Sequence, residues 1–403
     1  MAVLLILLYT LILPYLALIA AIVRGMFLPP NRSPSRATPS VSVIVPAHNE
    51  AENLSPLLNS LATQDYPGAL EFVVVDDRSH DGTGEIVREM ERLDPRFRCV
   101  RVQWPNRRLS PKVNAIEVGI RTTRGELIFT TDADCEVPVG WVSGMVSHFE
   151  PDVAMVAGCV ESSRPHQPHG WMGNFEAVDW FSLMLTMRSM LRFGWPYAST
   201  ANNQAYRRRA FEAIGGFGSF GRAPSGDEDL LTQRLGRLEG CRVAIADDPA
   251  TRVLTRSERS LSSLLRQRRR WVSRYHHPMH YHPGFLAGLT LLGLQSVALT
   301  LALLAIPFVP ALAPWVLSLW AVKLAFELFG MNLGLAQLGR LDLTGLPVLL
   351  WAALHPPFIA TVSVWSLIRP GDWRSSAPGY RRRYFRRRLR ELRRKVLTAL
   401  DLS

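Results

Sequence analysis

Four short polar signals stand in order along one stretch of this 403-residue chain, and each carries residue types suited to handling a phosphorylated substrate. They are Asp76-Asp77 after Val73-Val74-Val75, Asp132-Ala133-Asp134 after Thr131, Gly226-Asp227-Glu228-Asp229, and Gln267-Arg268-Arg269-Arg270-Trp271. The first two follow apolar, β-rich runs, so their carboxylates fall where buried strands end, and ligands of open α/β sheets bind at the carboxyl ends of strands. Paired carboxylates there can hold a hard divalent cation, and the cation can hold a diphosphate. A later carboxylate supplies a base, and the basic and aromatic cluster supplies a clamp for phosphate or acceptor. The pattern describes group transfer from a nucleotide-activated donor.

Within it, Asp134 with Asp132 is the candidate cation site, Mn2+ or Mg2+ being the expected ion. Asp229 is the candidate general base for an acceptor hydroxyl, with Glu228 orienting it or binding the acceptor. One of Asp76 and Asp77 can accept a hydrogen bond from the donor base while the other caps the following turn. Pro46-Ala47-His48-Asn49-Glu50 presents backbone groups at a strand end, with Glu50 lining the pocket. Lys112 is one of three lysines among 46 basic residues. Its place before a helical run is suited to a diphosphate contact by a compact charge. Arg270 can meet the diphosphate, and Trp271 can wall the pocket. Arg266, Arg268 and Arg269 are expected to face lipid headgroups.

These residues require elements to hold them. Val41–Val45, Phe72–Val75, Val100–Val102 and Leu127–Thr130 read as strands, separated by helical patterns around Leu54–Leu61, Ile86–Leu93 and Lys112–Ile120. Alternation of strand and helix predicts a mostly parallel, Rossmann-like sheet covered on both faces. Residues 170–193, rich in Met and aromatics, read as a helix lying at a membrane interface or buried in the core.

Apolar segments flank this unit. Residues 2–23 carry no charge and meet Arg24, which predicts a membrane anchor over residues 1–24 with a Pro-rich linker, 25–40, on its cytoplasmic side. Segments near 284–309, 311–330 and 346–368 form a second membrane region, and Lys323 and Glu327 are spaced to pair on one helix face. His355-Pro356-Pro357 argues against a straight spanning helix in the last of them. The expected division is therefore an anchor, a catalytic unit over 41–275, a membrane region of two or three segments over 276–370, and a tail over 371–403.

Net charge is +12 and uneven. Residues 371–403 hold ten Arg and one Lys against Asp372, Glu391 and Asp401, an excess of +8. With Phe385, Leu389, Leu392 and Val396 at helical spacing, the tail reads as a basic amphipathic helix on anionic lipid rather than a nucleic-acid binder. An even number of crossings after the catalytic unit would place it beside that unit on the cytoplasmic side of a multi-pass cell-membrane protein. Four cysteines without metal spacing fit ordinary burial in a reducing compartment. The histidines at 276, 277, 280 and 282 read as a non-metal group.

Val43–Glu50, Asp76–Thr83, the Asp132-Ala133-Asp134 triplet, Glu228-Asp229 and Gln267-to-Trp271 together resemble family 2 glycosyltransferases of the GT-A fold. The likeness covers about residues 40–275. It implies a UDP-sugar donor, a uracil contact at Asp76 or Asp77, and a DXD triplet whose second aspartate touches metal while its first also reaches the sugar or ribose. It also implies catalysis at the Glu-Asp pair and a QxxRW motif at Gln267, Arg270 and Trp271. QxxRW members include ceramide glucosyltransferase-like and carotenoid glycosyltransferase-like enzymes, as well as polymer synthases. The expectation is an inverting, metal-dependent transfer of one sugar to a lipid acceptor. The alternatives are a processive synthase or an inactive lipid-binding scaffold.

Overall fold

The computed structural model describes residues 2–29, 37–104, 106, 108–165, 170–218, 220–221, 226–258, 260–272 and 282–368. The basic tail and the histidines at 276, 277 and 280 lie outside them. Helix α1 (Ala2–Met26) is followed by β1 (Val41–Ala47), α2 (Leu54–Ala62), β2 (Leu70–Asp76), α3 (Thr83–Leu93), β3 (Phe97–Arg101), α4 (Pro111–Thr122) and β4 (Leu127–Thr130). Next come β5 (Cys135–Glu136), α5 (Trp141–Val146), β6 (Val153–Gly158), β7 (Val160–Glu161), α6 (Gly170–Arg192), β8 (Gln204–Arg207) and α7 (Arg208–Ala213). The remainder is α8 (Asp227–Leu235), β9 (Arg242–Ala246), β10 (Val253–Thr255), α9 (Leu261–Val272), α10 (Pro283–Ala305), α11 (Ala313–Gln337) and α12 (Leu346–Ile368).

The main sheet runs β3-β2-β1-β4-β8-β6-β9. It is parallel except where β8 pairs antiparallel with β4 and β6. The central strands read as unbroken apolar runs because both faces are covered: Val43, Ile44, Val45, Val73, Val74 and Val75 have no exposed surface. The α2 leucines at 54, 57, 58 and 61 are all buried, as their spacing predicts. The third strand begins at Phe97, earlier than its Val100–Val102 pattern suggested. Phe97 buries its ring 4.6 Å from Phe72, whereas Arg98 and Arg101 mask the periodicity.

Order reverses at β1, which lies between β2 and β4, so the carboxyl ends of β1 and β4 form the switch point where open sheets bind ligands. The loops there are cross-tied: Asn49 N donates to Ser79 Oγ, His80 N to Asn49 Oδ1, and Glu50 N to Thr83 Oγ1. Asn49 (φ 56°) and Arg78 (φ 62°) both adopt left-handed backbone at these strand ends, a conformation residues other than glycine seldom take. Helix α4 lies close on the sheet because Gly119 has no Cβ; one would come within 2.5 Å of Ile44. Ser110 caps α4 and Pro111 opens it. A helix running back along parallel strands starts at their carboxyl end, which sets Lys112 beside the triplet after β4.

Four helices are long and apolar enough to cross a membrane: α1, α10, α11 with the turn before it, and α12. They take part in two buried apolar clusters. Leu8, Ile12 and Tyr15 of α1 cluster with Leu299 and Ala302 of α10 and Val316 and Leu319 of α11. Val348, Trp351, Ala352, Phe358 and Val362 of α12 share a second cluster with Phe175 and Val178 of α6, Leu264 of α9, Met331 and Leu335 of α11 and Met26 of α1. Contacts follow α12 along its length: Trp351 Nε1 donates to Asp179 Oδ1 at 3.4 Å, Phe358 packs edge-on to Phe175 at 5.2 Å, and Arg269 lies 4.1 Å over the Trp365 ring.

The two prolines do not break α12, contrary to the expectation from His355-Pro356-Pro357; the helix is continuous over 23 residues. Each proline removes one amide donor, and the α6, α10 and α11 surfaces that pack on α12 shield the helix there. Helix α6 is the junction between the sheet and the apolar helices, with fourteen buried residues. Arg188 and Arg192 both reach Asp247 from it, and Arg192 also donates to the carbonyls of Met26 and Leu28 at the end of α1.

Candidate active site

A cavity of about 1400 Å³ opens at the carboxyl edge of the sheet. Three segments bring their acidic or basic groups to it: the turn after β4 supplies Asp132 and Asp134, the first turn of α8 supplies Asp227, Glu228 and Asp229, and α9 supplies Gln267, Arg270 and Trp271. Lys112 completes the ring, its Nζ 2.5 Å from Asp132 Oδ1. Burial works against the Lys112 charge, but Asp132, Asp227 and Glu228 outweigh it and hold its pKa above the ordinary lysine value. One lysine thus joins the triplet to the α8 acids.

Asp134 opens into the cavity, yet partial desolvation and the charges of Asp132 and Glu50 push its pKa up to about 6. Glu50 is raised by desolvation, with Asp132 and Asp81 adding to the effect and Asn53 opposing it. A site where acids crowd until one resists ionising is suited to a divalent cation, whose charge would relieve all three. The donor set fits such an ion: carboxylate oxygens, with room beside them for a ligand's own oxygens. Among the described residues no group of three or more acidic, His or Cys side chains is assembled as a closed metal site, so a diphosphate would have to complete the coordination.

Asp229 lines the cavity although only 1% exposed, and Glu228 beside it is more accessible. Asp227, which the motif reading passed over, is buried; desolvation and Glu228 push its pKa up to about 7 while Lys112 opposes them. All three occupy the first turn of α8 after left-handed Gly226, where the helix dipole favours negative charge. Desolvation lowers the Arg270 pKa, and Asp132, Glu258, Glu228 and Asp134 partly restore it. This places the guanidinium within the field of both acidic groups.

The remaining sequence candidates sit beside the cavity rather than on its wall. Asp76 accepts from Ser79 N at 2.7 Å, so it caps the turn, and Asp77 is paired with Arg78 at 2.9 Å. Asp77 N also donates to Ala47 O, which ties the two strand ends together. Pro46, Ala47, Glu50, Asp76, Asp77 and Ala133 are not among the cavity-lining residues, although Arg78 is. Glu50 accepts from Asn53 Nδ2 at 2.7 Å.

Arg268 does not face lipid. It is 5% exposed, its Nε donates to Asp179 Oδ2 at 2.7 Å, and its guanidinium lies 4.1 Å over the Trp271 ring. Trp180 meets Trp271 edge-on at 5.0 Å. Asp179 is the residue that overturns the headgroup expectation: an acid buried inside α6, three residues after the equally buried Glu176, needs a buried partner, and that demand was the available signal. Arg268→Ala should therefore destabilise the detergent-solubilised protein by about 3–5 kcal/mol, since it leaves Asp179 buried and unpaired. Arg268→Met with Asp179→Leu should recover most of the loss in thermal unfolding.

The sequence model of glycosyl transferase family 2 matches residues 42–215. An N-acetylglucosaminyltransferase of Bradyrhizobium elkanii is 37% identical over 133 residues, which are 32% of this chain and 70% of the relative. The chain belongs to glycosyl transferase family 2. A Rhizobium meliloti (strain 1021) N-acetylglucosaminyltransferase is 27% identical over 348 residues, covering 83% of this chain and 70% of that protein. The fold matches a mannosyltransferase from Pyrobaculum calidifontis, solved with GDP-Man and Mn2+, at a TM-score of 0.57 and 22% identity over 92% of this chain and 96% of that one. This family 2 enzyme therefore has the GT-A-type α/β fold, with apolar helices at both ends, and is a glycosyltransferase. Lys112, Asp132, Asp134, Glu228, Asp229, Gln267, Arg270 and Trp271 line one cavity although they are spread over 160 positions.

Proposed function

We propose that the enzyme transfers one sugar from a UDP-sugar to a lipid acceptor that reaches the cavity from the membrane. The observation that carries this reading is that the cavity holding Asp134 and Asp229 is also walled by Ile22 of α1, Leu289 of α10, Met331 of α11 and Val362 of α12. A water-soluble acceptor would have no use for that apolar wall, whereas a lipid chain would be desolvated by it.

In this reading Asp229 takes the proton of the attacking hydroxyl, and Glu228 binds or orients the acceptor. One displacement with one base gives inversion. Lys112 and Arg270 hold the diphosphate, Lys112 by exchanging its Asp132 partner for phosphate oxygen. Asp134 with Asp132 would hold Mn2+ or Mg2+, which when bound supplies charge compensation for the leaving diphosphate. The uracil site falls at the β1 and β2 strand ends, where Arg78 joins Asp77 to the cavity rim. UDP-GlcNAc is the first donor to try, because the relatives are named for N-acetylglucosaminyl transfer.

Lipid extracts of a host expressing the chain, compared by mass spectrometry with a host lacking it, test the proposal. A lipid heavier by a single sugar residue supports it. A polymer would favour a processive synthase, and unchanged lipids with no donor consumption would favour an inactive scaffold.

The topology we propose has α1, α10 and α11 crossing the cell membrane while α12 enters the apolar layer beside α10 and α11 without completing a crossing. The buried apolar residues of α12 pack on α6 and α9 as well as on Met331 and Leu335 of α11, and a tail carrying an excess of +8 favours the cytoplasmic side. The basic tail then shares the catalytic side, where anionic lipids attract it. Single cysteines at Ser376 and Ser403, in a background without native cysteines, should resist an impermeant thiol reagent in intact cells. Ready labelling of both would mean that α12 crosses.

A further inference from the structure

The cavity extends well past the carboxylates, and its far wall is not wholly apolar. Tyr15 of α1, Glu327 of α11 and His355 of α12 line it too. Gln337 and Met26 mark the catalytic-side ends of α11 and α1, because Arg188 and Arg192 of α6 bind them. Glu327 lies ten residues before Gln337, and Tyr15 eleven before Met26. At 1.5 Å per residue both sit about 15 Å below those ends, inside the apolar layer.

A charge at that depth needs full pairing, and only half of this one is paired. Glu327 Oε1 accepts from Lys323 Nζ at 2.6 Å and from the Tyr15 hydroxyl. Among the described residues Glu327 Oε2 finds no hydrogen-bond partner, and neither does His355 Nδ1. Glu327 is 3% exposed and His355 6%. Buried polar atoms are nearly always satisfied, so two orphans on the wall of one cavity point to something that satisfies them.

We propose that Glu327 Oε2 and His355 Nδ1 form a polar anchor for a neutral hydrogen-bonding group, a hydroxyl or an amide, carried within the apolar body of the acceptor lipid. The electrostatics select a neutral group. Lys323 is already matched by Glu327, so an entering phosphate would meet an uncovered carboxylate oxygen rather than a free cation. A hydroxyl can donate to Glu327 Oε2 and accept from His355 Nδ1–H, which answers both orphans at once. The anchor would distinguish a lipid polar along its chain from one that is hydrocarbon beyond its reacting hydroxyl, since a site built for a hydroxyl penalises its absence. This inference rests on the lipid-acceptor reading.

The test uses full-length protein in detergent, UDP-GlcNAc with Mn2+, and two acceptors sharing one primary hydroxyl: 1-octadecanol and 1,12-octadecanediol. The wild type should prefer the diol about tenfold in kcat/KM, mostly through KM. His355→Phe and, separately, Glu327→Gln should bring the ratio towards one. A merely structural role would lower transfer to both alcohols equally and keep the ratio, which overturns the anchor. So does a wild-type ratio of one. Transfer to neither alcohol by the wild type, with donor still hydrolysed by water, would remove the lipid-acceptor reading and the anchor with it. Thermal unfolding of the conservative Glu327→Gln protein separates a lost contact from a lost fold.

Discussion

Asp134→Ala is expected to abolish sugar transfer and to weaken UDP binding in Mn2+ while the protein still expresses and folds. Groups that merely orient a metal ligand are worth roughly 10–100-fold in metal affinity or activity, so loss of the ligand itself should cost about a hundredfold or more. The variant also carries a test of the fold. Burial and the neighbouring carboxylates raise the Asp134 pKa from 3.8 to about 6. Between those values the folded protein binds more protons than the unfolded chain, so without metal this group lowers stability as pH rises from about 4 to about 6. Above pH 6 that cost is fully present and alanine removes it, so metal-free melting at neutral pH should not fall. Isothermal titration of UDP with and without Mn2+, beside turnover, checks both parts. Undiminished turnover by purified Asp134→Ala protein would sink the metal assignment.

Asp229→Asn should reduce transfer by about a hundredfold or more while leaving donor binding in place. The substitution is nearly isosteric, and at 1% exposure the site tolerates little change in shape. It removes the ability to take a proton without emptying the space at the start of α8. Single-turnover transfer measured beside UDP affinity separates the two quantities. An equal collapse of donor affinity would make Asp229 a binding residue, and proton removal would then pass to Glu228, the more accessible of the pair.

Much of the catalytic unit was legible because its signals are local. Val43 to Val45, Val73 to Val75 and Leu127 to Thr130 announce strands by uninterrupted apolar character, which follows from burial on both faces. The pairing of Lys323 with Glu327 follows from helical spacing alone. Where local pattern was weak, the reading shifted or failed. Arginines on β3 hid its start, β8 enters against the direction of its neighbours, and Asp227 drew no role of its own because its nearness to Lys112 of α4 arises only in the folded chain.

By itself the sequence determined the strand-and-helix alternation, the apolar segments, and the residue types at the ends of β2 and β4, because periodicity and chain-local chemistry require no partner. Only the tertiary structure decided what faces what. Arg268 was assigned to headgroups by its neighbours in sequence, but Asp179, 89 residues earlier, draws it inside, since a buried carboxylate must be matched. The prolines of α12 argued for a break by local rules, yet packing against α6, α10 and α11 keeps the helix whole. The cavity itself, shared by catalytic acids and membrane helices, exists only once those helices meet, because the space between packed elements is a property of no single segment.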